Sequence, residues 1–201
     1  MSVVAVGEFE GELRRLVLAL KYRNRRRTAR SIAQRMSGLV PAGADLVTWA
    51  PTSAARRRRR GFDQAELIAR HVAAMCGIGW ARVLERLDPA GQTGRDRRAR
   101  LTGPSFAAST SVRGLHVVVV DDVVTTGATL RAAAAALHHA GAVRVTGTCA
   151  ASVGEHYPRR HGCRPSQDEH ETDVGREDPR ENHRGHREGR RGRHPHQHHR
   201  R

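Results

Sequence analysis

Segments with helical and strand-like hydrophobic patterns alternate along most of the chain. Apolar residues at helical spacing predict helices over residues 9–20, 32–39, 62–75 and 130–137. Short apolar runs predict strands at residues 46–50, 81–84, 117–120 and 143–149. Pro41, Pro51 and Gly77 stand at the ends of these segments, where such residues commonly terminate helices and strands. This alternation predicts an α/β fold, in which a parallel sheet is flanked by helices.

The most informative segment covers residues 117–130. Four valines are followed by Asp121 and Asp122, so a buried strand is predicted to deliver two carboxylates at its C-terminal end. The run Thr125-Thr126-Gly127-Ala128-Thr129 predicts a tight loop in which the glycine lets the backbone approach a ligand. A helix is predicted to begin at Leu130, directly after this loop. The free N–H groups and the dipole of a helix start favour a bound phosphate.

The acid pair distinguishes this loop from other phosphate-binding loops. The sequence here has neither the Gly-Lys-Ser/Thr ending of a Walker loop nor the three spaced glycines of a dinucleotide site. Carboxylates accept hydrogen bonds from ribose hydroxyls, while loop amides and Thr hydroxyls hold the 5′-phosphate. The segment resembles the signature of the type I phosphoribosyltransferases, which bind phosphoribosyl pyrophosphate (PRPP). The alternative is a buried strand followed by an ordinary acidic turn.

Two further motifs resemble the ComF-type phosphoribosyltransferase-like proteins. Ala50-Pro51-Thr52-Ser53, followed by Arg60-Gly61-Phe62-Asp63-Gln64-Ala65, is similar to that family's Pro…Arg-Gly-Phe-Asn-Gln-Ala element. Residues 9–22, ending in Leu-Lys-Tyr, resemble its opening helix, so the likeness runs over residues 9–152. Asp63 stands where the family usually has Asn, and Phe9 where it usually has Tyr. The cysteine-rich zinc ribbon of many relatives has no counterpart in this sequence.

The resemblance implies roles for individual residues. The residues implied to bind ribose 5-phosphate are Asp121, Asp122, Val123, Val124, Thr125, Thr126, Gly127, Ala128 and Thr129, and the two acids are also the implied catalytic residues. For the pyrophosphate, the N–H groups of Thr52 and Ser53 and the guanidinium groups of Arg57 and Arg60 are the predicted contacts. Mg²⁺ is expected to enter with PRPP, held by oxygens of that ligand, without direct protein ligands. For the arginines, the alternative is a solvated basic turn.

Residues 88–104 are rich in Gly, Pro and Arg and show no hydrophobic period. A loop of this length inside a domain is usually functional or mobile. It is the candidate lid over the site, with Gln92, Arg97 and Arg100 as its implied contacts. The alternative is an ordinary mobile surface loop.

The composition changes sharply after residue 153. Residues 154–201 contain Tyr157, Cys163 and Val174 as their apolar residues, together with most of the 13 histidines of the chain. Such a segment cannot bury enough surface to offset its ordering entropy, so we expect a phosphoribosyltransferase-like domain at 1–153 and a disordered Arg/His-rich tail at 154–201. The histidines near the C-terminus could bind transition metals adventitiously.

Charge and cysteine content limit the classes of function. The net charge of +16 favours polyanions, but seven aromatic residues are too few for a convincing base-stacking platform. The three cysteines lack paired metal spacing and fit a reduced protein, and no apolar run or signal peptide predicts membrane insertion. The expected location is therefore the cytoplasm.

Three functions remain open at this level. The first is a PRPP-dependent enzyme that transfers phosphoribosyl to an unidentified nitrogenous acceptor. The second is a non-catalytic PRPP- or nucleotide-binding accessory protein of DNA uptake, as the link of the ComF family with competence implies. The third is a basic DNA-binding protein, which would gain nothing from carboxylates beside its phosphate site. The partners implied are PRPP or another ribose 5-phosphate ligand, single-stranded DNA or competence proteins, and a second copy of the chain in a homodimer.

Overall fold

A five-stranded parallel sheet forms the centre of the computed structural model, which describes residues 1–23, 25–87, 104–154 and 157. The sheet order is β1-β7-β6-β2-β3. Its strands are β1 (Ser2–Glu8), β2 (Leu46–Trp49), β3 (Gly79–Trp80), β6 (His116–Val124) and β7 (Arg144–Ser152). The helices are α1 (Gly11–Tyr22), α2 (Thr28–Ser37), α3 (Ala54–Arg60), α4 (Gln64–Cys76) and α5 (Ala128–His139). Two short strands, β4 (Leu84–Leu87) and β5 (Ser105–Ala108), pair antiparallel beside the sheet. The predicted parallel α/β sheet flanked by helices is confirmed.

The valine run of β6 is buried because helices cover both faces of the sheet. Val118 and Val120 pack into a core with α1, α2 and α4, while Val117 and Val119 pack into a second core with α5 and the β4–β5 pair. Successive side chains of a strand point to opposite faces, so a strand that is buried on both sides needs an unbroken apolar run.

Most predicted elements are confirmed, with boundaries that shift by a few residues. The four predicted helices correspond to α1, α2, α4 and α5, and three predicted strands correspond to β2, β6 and β7. The short strand predicted at residues 81–84 is wrong in position, because β4 begins at Leu84 and pairs with β5 outside the main sheet. None of the described helices is long and apolar enough to cross a membrane.

Three further features differ from the sequence prediction. β1 was not predicted, although its apolar run Val3-Val4-Ala5-Val6 is as long as that of residues 117–120. It forms a parallel edge of the sheet beside β7. The arginine run, for which the sequence predicts no helix, forms helix α3, which begins after the Ser53 cap and ends at Gly61 in the left-handed conformation. This helix has no buried residue, so no hydrophobic stripe could reveal it.

The acids also lie deeper in their strand than predicted. β6 continues through Asp121 and Asp122 to Val124, because β7 pairs with it as far as Ser152. The neighbour on the other side, β2, stops at Trp49 opposite Val120. The two acids therefore lie in the strand at a position where one flank is open. Helix α5 begins at Ala128, two residues earlier than predicted.

Candidate functional site

The open flank of β6 borders a polar cavity of ≈ 370 Å³. The cavity lies at the carboxyl ends of β2 and β6, where parallel α/β sheets bind their ligands. Its walls also include the last turn of α1, the exposed helix α3, the start of α4 and one residue each of β4 and α5. The predicted site residues that line it are Asp121, Asp122, Val123, Thr129, Thr52 and Arg60.

The other predicted residues lie elsewhere or outside the described residues. Arg57 borders a neighbouring cavity of ≈ 240 Å³, together with Arg82 and Glu66. The Ser53 hydroxyl caps α3 and accepts a hydrogen bond from the Arg56 N–H at 3.4 Å. Val124 is buried in the second core, and the residues Thr125, Thr126, Gly127 and Ala128 lead into α5. Gln92, Arg97 and Arg100 fall outside the described residues.

The two acids have different electrostatic environments. Asp122 Oδ1 lies 2.8 Å from Lys21 Nζ, and the two side chains are only 14% and 19% exposed. Asp121 Oδ1 accepts a hydrogen bond of 2.8 Å from the Asp122 N–H. Burial, followed by the negative charge of Asp122, raises the pKa of Asp121 to about 8, against the opposing effects of that hydrogen bond and of Lys21. Asp121 is therefore protonated more readily than an ordinary carboxylic acid, and in that form it can donate as well as accept a hydrogen bond.

Asp63 fixes the loop that follows β2. This buried carboxylate accepts one hydrogen bond from the Thr52 N–H at 2.8 Å and another from the Ala65 N–H at 3.1 Å, which caps α4. Burial raises the pKa of Asp63, and the backbone hydrogen bonds oppose that rise. An Asn at this position has a single side-chain oxygen and could not accept both bonds in this way. The Thr52 N–H, predicted for the pyrophosphate, is therefore already used by Asp63, and the Thr52 hydroxyl remains as a donor.

Gly127 shapes the turn between the acids and α5. Its φ of 73° lies in the left-handed region, where it occupies the N-cap position of α5. The Thr126 hydroxyl accepts a hydrogen bond from the Ala128 N–H at 3.4 Å. A methyl group on Gly127 would lie 2.9 Å from Arg131 Nη1 and would collide with the Tyr157 hydroxyl. Tyr157, which the sequence assigns to the tail, is half-buried and packs against the second core.

We expect Gly127→Ala to cost more stability than Gly114→Ala, although both glycines have a positive φ. Gly114 has a φ of 78° and open space around it, so alanine there suffers only the backbone strain, about 1–2 kcal/mol. At Gly127 the same strain is joined by crowding against Arg131 and Tyr157, and the loop amides must shift. Urea unfolding and phosphate titration calorimetry measure the difference. Equal losses of stability with unchanged phosphate affinity would contradict this account of the loop.

Several cavity residues escaped the sequence prediction. Lys21, Arg56, Arg59 and Arg86 add positive charge to its walls. The Leu-Lys-Tyr motif at the end of α1 could have indicated Lys21. A cation in the last turn of a helix is also favoured by the helix dipole. Arg86 has no comparable signal, because it stands on a short strand outside the main sheet.

The side chains that line the cavity determine how Mg²⁺ could be held there. The described residues contain no group of three or more His, Cys, Asp or Glu that could hold a metal ion. Two adjacent carboxylates opposite several cations suit an ion that arrives with a phosphate ligand and takes oxygens from it. The residues present fit such an ion at Asp121 and Asp122.

Comparisons with known proteins identify a family and several similar proteins. A family model for the phosphoribosyl transferase domain matches residues 58–182, more than half of the chain. The DNA utilization protein YhgH of Salmonella typhi is 32% identical over 163 residues, covering 73% of this chain and 70% of that protein. The protein of the same name from Escherichia coli (strain K12) is 30% identical over 162 residues, with the same coverage. The solved structure of glutamine PRPP amidotransferase from B. subtilis, complexed with ADP and GMP, is 28% identical over 60% of this chain, with a TM-score of 0.42. This chain covers 26% of that enzyme.

Proposed function

This chain belongs to the phosphoribosyl transferase domain family, and on that premise we propose that its polar cavity binds PRPP with Mg²⁺ and transfers phosphoribosyl to a nitrogenous acceptor. The observation that carries the proposal is the placement of Asp121 and Asp122 in one cavity wall, with a glycine turn and the start of α5 following directly. A ligand that carries both a vicinal diol and a phosphate matches these two features.

In this proposal each part of PRPP meets a different part of the cavity. The ribose hydroxyls bind Asp121 and Asp122, and the 5′-phosphate binds the turn at residues 125–129, of which Thr129 lines the cavity. The pyrophosphate lies against Arg60 and the Thr52 hydroxyl. Arg56, Arg59 and Lys21 contribute further positive charge from the same walls.

The residues of the chain would act on the transfer by holding charge rather than by covalent attack. Breaking the bond between C1 and pyrophosphate develops positive charge on the ribose and negative charge on the leaving group. The carboxylate of Asp122 lies on the ribose side, and the arginines lie on the pyrophosphate side. Mg²⁺, when bound, would neutralise part of the charge on the pyrophosphate. A buried thiol such as Cys149, whose pKa is raised by burial and by the nearby acids, is unsuited to act as a nucleophile.

PRPP with Mg²⁺ is expected to stabilise the folded protein against heat. A ligand that binds only the native state adds about 2.7 kcal/mol at a hundredfold excess over its Kd. Thermal melts with PRPP and Mg²⁺, with PRPP alone and with Mg²⁺ alone measure this effect, and the combination should give the largest shift. Melts that millimolar PRPP and Mg²⁺ leave unchanged would refute the proposal.

Binding of single-stranded nucleic acid is the second candidate function. Tyr22 is 66% exposed, and the Arg60 guanidinium lies 5.3 Å from the centre of its ring. Beside them, Lys21, Arg59 and Phe62 complete a second opening of ≈ 340 Å³, which shares residues with the first cavity. An exposed aromatic ring among cations suits a stacked base. Salt-sensitive binding of an oligonucleotide, without any effect of PRPP on the melt, would favour this alternative.

A further inference from the structure

Two residues that line the cavity carry buried hydrogen-bond donors without a partner among the described residues. Among the described residues, four buried side-chain polar atoms lack a hydrogen-bond partner: Arg60 Nε, Gln64 Nε2, Thr48 Oγ1 and Thr148 Oγ1. The two threonines lie inside strands β2 and β7 and border none of the cavities described above. Arg60 and Gln64 both line the cavity that holds the acid pair.

The burial of Gln64 makes its free amide informative. The residue is only 2% exposed and lies in the first turn of α4, directly after the Asp63 cap. A buried donor left without an acceptor destabilises a fold, whereas an apolar side chain of similar shape would fill the same space without that loss. The neighbouring Asp63 carboxylate accepts from two backbone N–H groups, and the Gln64 amide makes no hydrogen bond to it.

The chemistry of the two donors indicates the group they would meet. Arg60 Nε and Gln64 Nε2 are donors that cannot accept, so both need oxygens with lone pairs. The Arg60 guanidinium is also held over the Tyr22 ring, which fixes one side of it. Phosphate oxygens accept hydrogen bonds from several directions, and charge strengthens each bond.

We propose that Gln64 is a ligand-binding residue whose side-chain amide donates to an oxygen of the pyrophosphate group, beside the Arg60 guanidinium. The inference rests on the proposed function, because it assigns a further residue to the same PRPP site. It also explains why a glutamine stands at a buried position where the packing of α4 alone would favour an apolar residue.

Three variants separate ligand binding from a structural role. Gln64→Met keeps the shape of the side chain and removes the donor. Gln64→Glu keeps the shape and replaces the donor with an acceptor. Thr148→Val removes a buried unpartnered hydroxyl away from the cavity and is the matched control. Each variant is measured by thermal melting of the free protein and by calorimetry with PRPP and with ribose 5-phosphate, in the presence of Mg²⁺.

The expected pattern is a loss of affinity without a loss of stability. Gln64→Met should melt at or above the wild-type temperature, yet bind PRPP about tenfold more weakly, as expected for one hydrogen bond to a charged group. Gln64→Glu should weaken PRPP binding further by repulsion. Neither variant should change the affinity for ribose 5-phosphate, which has no pyrophosphate, and Thr148→Val should leave both affinities unchanged.

The other possible results would contradict either the role of Gln64 or the proposed function, and they can be told apart. If the wild type binds PRPP and Gln64→Met binds it equally well, Gln64 is not a ligand-binding residue. If Gln64→Met melts lower and loses affinity for both ligands alike, its role is structural. If the wild type binds neither ligand, the proposed function itself fails, and the assignment of Gln64 fails with it.

Discussion

Asp122→Ala should bind ribose 5-phosphate about a hundredfold more weakly than the wild type, the loss expected for two hydrogen bonds to a charged group. Inorganic phosphate should bind at least as well as before. The two affinities respond differently because of Lys21, whose ammonium lies 2.8 Å from the Asp122 carboxylate. Without that carboxylate the cation is left unpaired in the cavity wall, where it favours any anion. Titration calorimetry with the two ligands measures both affinities.

Glu12→Ala is the matched control for this variant. Glu12 also pairs with a cation at 2.8 Å, the Arg35 guanidinium, but its side chain is 62% exposed and lies on the outer surface of α1. Its removal changes the net charge by the same amount as Asp122→Ala. An exposed pair contributes little, so this control should leave both affinities unchanged. Equal losses for ribose 5-phosphate and phosphate in Asp122→Ala would show that the diol is bound elsewhere.

The sequence could predict those parts of the site that depend on local pattern. The valine run of β6, the acids after it and the glycine before α5 are contiguous, so strand, acids and helix start can be read together. The position of the cavity follows from the general rule for parallel sheets. The roles assigned to the individual residues of this segment stay predictions.

The parts that depend on tertiary packing could not be predicted. Lys21 meets Asp122 because α1 packs beside the end of β6, and no local pattern encodes that meeting. The Thr52 N–H, which the sequence predicts as a donor to the pyrophosphate, instead donates to Asp63 in the next loop. Helix α3 has no buried residue and hence no apolar stripe that the sequence could show. Tyr157 lies against the turn at Gly127, although composition alone assigns this tyrosine to the tail.

Asp63 links the backbone around the cavity to the acid pair. Its carboxylate accepts hydrogen bonds from two backbone N–H groups, that of Thr52 in the loop after β2 and that of Ala65 in the first turn of α4. Its charge also adds to the forces that raise the pKa of Asp121. Asp63 thus couples the loop after β2 to the ionisation of Asp121.

Asp121→Asn should stabilise the free protein at alkaline pH and flatten the dependence of its stability on pH. The folded-state pKa of Asp121 is raised to about 8 from an ordinary value of 3.8. Between these values the folded protein retains a proton that the unfolded chain has lost. The stabilising effect of that proton is complete below the ordinary pKa and disappears as the pH rises through about 8. Stability should therefore fall across this window, by at most about 1.4 kcal/mol per pH unit.

Asparagine cannot ionise, so the variant keeps a neutral side chain at every pH. In urea unfolding at pH values of about 5, 7 and 9, the free energy of unfolding of the variant relative to the wild type should rise from the lowest pH to the highest. Glu12→Gln, the same acid-to-amide change at an exposed position, should follow the wild type throughout. Because asparagine replaces one side-chain oxygen of Asp121 with an amide that only donates, PRPP affinity should fall in Asp121→Asn even where its fold is more stable. Parallel curves for Asp121→Asn and the wild type would show that Asp121 is already ionised at neutral pH, and that the acid pair carries two charges before any ligand arrives.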